Sequence, residues 1–248
     1  MTFKNLAKTA IFIWVAFIGL VACEKEAIIN LPPTQENVLS ILPLGDSRVE
    51  GARPEYESYR YELWKNLVAN DWSIDLVGTR KDEGHYANFN NLSFDADHEG
   101  TGGAQTSDIL TTLAKIGSEN IPQVILLGIG GNDLLDGQKT VAATIANIQE
   151  IIDILQTGNP QATIFLEQIA PGRSDFMTEA TTAILNQFNE QIMEIGNAKT
   201  TTTSKVIIVN MAKDWSDDNM ADEVHYNEVG AKVVADRYFE AMVANLNE

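Results

Sequence analysis

The stretch Ile41-Leu42-Pro43-Leu44-Gly45-Asp46-Ser47-Arg48-Val49-Glu50-Gly51 runs from four apolar residues straight into a glycine, a carboxylate and a hydroxyl. An apolar run that does not alternate with polar residues suits a strand buried on both faces, as in a parallel sheet. Gly45 permits a sharp exit from that strand, and Ser47 then stands where a helix would begin. A serine at that position is most often a helix N-cap. Its other reading is a nucleophile, which requires a base and an anion-stabilising pocket from elsewhere in the chain.

The same kind of run recurs at Ile74–Val77, Val124–Ile129, Thr163–Leu166 and Val206–Val209, and the first begins at Val38. Between the runs lie segments with helical spacing: Tyr56–Ala69, Ser107–Ile116, Val141–Leu155, Thr178–Ile195 and Glu228–Leu246. Asn159-Pro160 and Gly196-Asn197 punctuate helix ends, and Thr200–Ser204 reads as a loop. Strands alternating with helices predict a three-layer α/β/α sandwich around a mostly parallel five-stranded sheet, in one domain over residues 38–248. In open parallel sheets, ligands sit at the carboxyl ends of the strands, so functional residues should directly follow the apolar runs.

A chain of 248 residues can bury a large core in a single domain. Its 35 acidic residues against 17 basic ones leave a net charge of −18, which argues against nucleic acid as a partner. The N-terminus reads separately. Lys4 and Lys8 precede the apolar stretch Ala10–Ala22, too short for the ~20 residues of a membrane span but suited to a signal-peptide core. Leu20-Val21-Ala22-Cys23 resembles the lipobox of bacterial lipoproteins, in which the cysteine is lipidated, and Cys23 is the chain's single cysteine. An ordinary secretory signal is the alternative. On the lipoprotein reading residues 1–23 are the leader and 24–37, with Pro32-Pro33, a tether; the protein is exported and touches the membrane only through that anchor.

Three further segments carry chemistry. Gly128-Ile129-Gly130-Gly131-Asn132-Asp133 follows a predicted strand; adjacent glycines let backbone approach a ligand, and Asn132 presents an amide with two donors. Taken alone, it is equally a glycine-rich turn. Asp95–Ser107, "DADHEGTGGAQTS", places Gly100, Gly102 and Gly103 before a helix, with amides able to face an anion. Its Asp95, Asp97, His98 and Glu99 match no metal-site spacing and read as a solvated loop. Asp222-Glu223-Val224-His225 precedes the last helix, and one turn can bring carboxylate and imidazole together, leaving the second ring nitrogen free as a base. A lone pair of this kind is often a surface salt bridge.

Together, Gly45-Asp46-Ser47, the glycines of "EGTGGAQTSDIL", Gly130-Gly131-Asn132-Asp133 and Asp222-x-x-His225 resemble the motif blocks of the SGNH (GDSL-type) hydrolases, over residues 38–246. The resemblance implies a flavodoxin-like fold and a serine esterase that needs no metal or organic cofactor. It implies Ser47 as nucleophile, His225 as general base, Asp222 as its orienting partner, and an oxyanion hole from the amides of Ser47 and Gly103 with the Asn132 side chain. The order Ser, Asp, His is also that of α/β-hydrolases, but their Gly-x-Ser-x-Gly elbow is absent.

Arg48 and Tyr226 stand where the family often has other residues, and both are candidates to shape the substrate cleft. Trp215 is a candidate sugar platform or, alternatively, a half-buried structural residue; Trp64 and Trp72 read as core. His85 sits in a loop without an evident partner, and the acidic run Asp217–Glu223 reads as solvated surface. The "HEG" leading into the second block is similar to that of acetylxylan esterases, which implies acylated carbohydrate as substrate. A broader lipid or aryl esterase and an inactive glycan-binding lipoprotein are the alternatives, and no member of the implied triad is missing.

Overall fold

In a computed structural model, the described residues are 38–246 apart from 118, 119, 136 and 138, so the leader, Cys23 and the tether lie outside them. Each apolar run forms a strand: β1 (Leu39–Gly45), β2 (Ile74–Leu76), β5 (Val124–Gly128), β6 (Thr163–Gln168) and β7 (Val206–Asn210). Helices α2 (Arg60–Ala69), α3 (Thr106–Ile116), α5 (Val141–Gly158), α6 (Glu179–Lys199) and α7 (Glu228–Leu246) fill the intervals. Two very short helices, α1 (Ser47–Glu50) and α4 (Gly131–Leu135), open directly from β1 and β5.

Neighbouring strands β1, β5, β6 and β7 are parallel, and β2 lies parallel to the start of β1. The expected α/β sandwich is therefore present with all five expected strands. Two more, which the apolar pattern does not reveal, complete a seven-stranded sheet: β3 (Arg80–Lys81) and β4 (Asp97–Gly100). β4 runs parallel to the end of β1, beyond β2 on the same edge, and pairs antiparallel with β3. The stretch expected to be a solvated loop is thus a strand in which His98 and Glu99 are buried. Glu99 is accommodated because it accepts from the Thr79 backbone amide at 2.7 Å and from its hydroxyl.

Successive strand residues face opposite layers. Leu42, Leu44, Ile125, Leu127, Ile164 and Leu166 meet α3, α5 and α6 on one side. Ile41, Val124, Leu126 and Phe165 meet α2 and α7 on the other. Burial on both faces explains why the strands read as unbroken apolar runs. At the carboxyl end, Gly45 of β1 sits opposite Gly128 of β5, and a Cβ on Gly45 would lie 2.0 Å from the Gly128 carbonyl oxygen. Only glycine permits this approach, and it brings the turns that open α1 and α4 side by side.

Candidate active site

Asp46, not Ser47, is the N-cap of α1: its Oδ1 accepts from the Arg48 amide at 3.0 Å. Ser47 is the first helical residue, so its hydroxyl is released from capping. Its amide is one of the donors that a helix start leaves without an intrahelical partner. Ser47 Oγ lies 3.0 Å from His225 Nε2, and His225 Nδ1 lies 2.7 Å from Asp222 Oδ2. An ionised carboxylate can only accept, so Nδ1 carries the proton and Nε2 is left to accept from the serine hydroxyl.

Local geometry holds this alignment. Asp222 Oδ1 accepts the amides of Val224 (2.8 Å) and His225 (2.7 Å), closing a tight turn around its own partner. Burial raises the Asp222 pKa, but these amides and the imidazole outweigh it and hold the carboxyl below its ordinary value. Asp222 therefore stays charged wherever the protein is folded near neutrality.

Tyr56 stacks on the imidazole with ring centroids 3.9 Å apart and planes 13° from parallel. It is delivered there by an antiparallel bridge in which the Glu57 amide donates to the Tyr226 carbonyl. Burial, then the charges of Glu50 and Asp222, raise its phenol pKa. No sequence motif marks Tyr56, because the contact depends on a bridge between distant segments.

Asn132, in α4, lines the same cavity as Ser47. Its Nδ2 donates to the Ala104 carbonyl at 2.9 Å, which leaves the second amide hydrogen uncommitted. Gly103, next to Ala104, has φ +74°, with nothing within 4 Å of where a Cβ would sit. Gly103 does not itself line that cavity. The loop carrying it is held by Glu50, whose Oε2 accepts from the Gly102 amide while Oε1 accepts from Arg80, both at 2.6 Å.

Arg48 does not project as a free cation. Its Nε donates to the Val224 carbonyl at 2.7 Å and its Nη1 to the Ala170 carbonyl at 2.7 Å, with weaker bonds to Pro171 and the Tyr226 hydroxyl. Tyr226, only 1% exposed, lies under that guanidinium, 4.9 Å from ring centroid to Cζ. Its ring is packed into the core rather than offered to a sugar. Trp215 is half-buried, edge-on to Tyr226 at 5.3 Å, with its indole N–H directed at Met220 Sδ. Arg48 and Tyr226, the candidates to shape the cleft, and Trp215, in its alternative reading as a half-buried structural residue, thus form a brace behind the site, although Arg48 also borders the cavity. Another unanticipated group is Glu167 at the end of β6, buried against the Tyr238 hydroxyl at 2.6 Å, its pKa pushed by burial up to about 7.

A hydroxyl, an imidazole held by a carboxylate and adjacent amide donors is an arrangement for acyl transfer. The sequence model of the GDSL-like lipase/acylhydrolase family matches residues 44–233, which carry all these groups. The chain belongs to that family. As a GDSL acylhydrolase it is a carboxylic ester hydrolase, and the family resemblance read from its motifs holds. Among solved structures, an acetyl esterase mutant with an acetate ion and a family 3 carbohydrate esterase from Talaromyces cellulolyticus each superpose with TM-score 0.72 at 22% identity, covering 84% of this chain and 97% of theirs. A family 3 carbohydrate esterase from Clostridium thermocellum gives TM-score 0.68 at 28% identity over the same shares. No curated protein sequence matches the acylhydrolase.

Proposed function

We propose that this acylhydrolase is a serine esterase that deacetylates carbohydrate through an acyl-enzyme on Ser47. The observation that carries the proposal is the continuous hydrogen-bonded path from Ser47 Oγ through both nitrogens of His225 to Asp222. Ser47 Oγ attacks the ester carbonyl as His225 Nε2 takes its proton. The resulting oxyanion is met by the Ser47 amide and the uncommitted N–H of Asn132. The Gly103 amide, beside the Ala104 carbonyl that holds Asn132, is the third donor that the family resemblance implies, each preorganised donor being worth ~10²–10³ in rate. The imidazolium returns its proton to the departing sugar oxygen. Water then repeats the sequence on the acyl-enzyme, releasing acetate and restoring the serine.

Carbohydrate as substrate rests on the fold neighbours, which are named as acetyl and carbohydrate esterases, and on the "HEG" block. It is supported by a broad polar depression of about 670 Å³ at the other end of α1, lined by Glu50, Arg53, Arg80, Asp82 and Glu83. Carboxylates and guanidinium groups suit sugar hydroxyls. Export as a lipoprotein lipidated at Cys23 fits work on large external glycans. Acetate released from acetylated xylan by the wild type, and not by Ser47→Ala of unchanged fold, is the expected result. Hydrolysis of simple aryl acetates with none on any acetylated glycan would reject the carbohydrate assignment and favour a lipid or aryl esterase.

A further inference from the structure

The cavity at Ser47 has a character that deacetylation alone does not use. Ser47 and Asn132 stand at its reactive end, and its walls are Leu134 and Leu135 of α4, Ile169 after β6, and Ile184 and Leu185 of α6. At the rim, Leu135 is 38% and Ile184 37% exposed, so apolar surface beside the reacting hydroxyl is left facing solvent. The buried carboxyls of Asp46 and Glu167, at strand ends, line its deep side and oppose further growth of an apolar guest. The site is therefore apolar beside the nucleophile and polar at the far end of α1, a division suited to an acyl chain on one side and a hydrophilic alcohol on the other.

Size sharpens the reading. The cavity holds about 60 Å³. A water-sized group needs roughly 10–15 Å³ of such space, so about four to six fit, whereas an acetyl methyl fills one.

We infer that this cavity is an acyl pocket for chains of about four carbons, so that butanoyl esters are cleaved better than acetyl esters. The inference rests on the ester-hydrolase reading and concerns only which acyl group the enzyme takes. Each additional buried methylene is worth about a fourfold gain in binding, so two give up to roughly fifteenfold. A chain that outgrows the cavity leaves its end against water at the rim and gains nothing more.

The test is a kcat/KM series on p-nitrophenyl acetate, butanoate and octanoate with the full chain, repeated in Ile184→Trp and Leu135→Trp. Both substitutions fall on half-exposed positions where a larger ring can be accommodated without disturbing the core. The expected result is a maximum at butanoate, about three- to fifteenfold above acetate in the wild type. In at least one variant, the butanoate-to-acetate ratio should drop about tenfold as the indole fills the pocket. Butanoate cleaved no better than acetate in the wild type, or a ratio unmoved in both variants, overturns the inference while leaving the esterase intact. A protein that hydrolyses none of the three overturns the esterase reading and this one with it.

Discussion

Replacing Arg48 with methionine separates two roles for that residue. From sequence the side chain is a candidate to shape the substrate cleft, yet its guanidinium holds Val224 and Ala170 by two short bonds of 2.7 Å. Val224 lies between Asp222 and His225, so Arg48 ties the imidazole's turn to the helix that carries Ser47. Arg48→Met keeps the aliphatic stem and removes both bonds. A hydrogen bond to a charged donor is worth about 1.5–3 kcal/mol, and water replaces part of that at this half-buried position. A net loss near 3 kcal/mol follows, or ~6–12 °C in Tm for a chain of this length. Loosening the turn misplaces Nε2 relative to Oγ, and a shift of ~1 Å can reduce the rate ~10²-fold. Steady-state kinetics beside thermal melting should therefore give kcat down about a hundredfold with KM nearly unchanged, because the loss falls on the transition state. Arg48→Lys should lie between, since an ammonium lacks the planar fork that spans several carbonyls. A raised KM with intact kcat and Tm would show that Arg48 binds substrate instead, and would refute the bracing role.

Two other substitutions probe groups that carry no motif. Tyr56→Leu removes the ring stacked on His225 and should lower kcat/KM about 2–30-fold, from the ~0.5–2 kcal/mol that a cation gains over an aromatic face. Tyr56→Phe should stay close to wild type, and equal activity in all three proteins would dismiss the stacking as incidental. Glu167 binds more protons folded than unfolded between its ordinary value of 4.5 and about 7, so its contribution to stability falls as pH rises through that window. Glu167→Gln removes the ionisation and should raise stability at pH 8 by up to about 3 kcal/mol while changing little at pH 4. Parallel urea titrations at the two pH values check the difference; equal gains at both would contradict burial of an ionisable carboxyl.

The strands that build the sheet could be read from the sequence because burial on both faces leaves them without polar interruption, as in Val124–Gly128. β4 could not, because Asp97, His98 and Glu99 look solvated until the Gly100 amide is seen to donate to His98 and Thr79 to Glu99. Arg60 begins a helix, where an arginine is ordinarily exposed. Instead it is buried on the Val49, Glu50 and Ala96 carbonyls and the Asp82 carboxylate. The Ser47, Asn132 and Asp222–His225 blocks stood out because each follows an apolar run or precedes a helix. What supports them did not: Tyr56, Glu167 and the brace of Arg48, Trp215 and Tyr226 depend on contacts between segments far apart in the chain, which no local spacing encodes. Tyr226 illustrates the gap, since its position beside His225 suggested a cleft residue and its packing makes it core.

The role of Ser47 is tested most directly by covalent capture. Exposure of the purified enzyme to a fluorophosphonate, followed by peptide mass spectrometry, should give one adduct per chain, on Ser47, with activity lost in proportion to labelling. His225→Ala should label far more slowly at the same residue. Stoichiometric adduct on any other side chain, or full labelling that leaves ester hydrolysis untouched, would contradict the account.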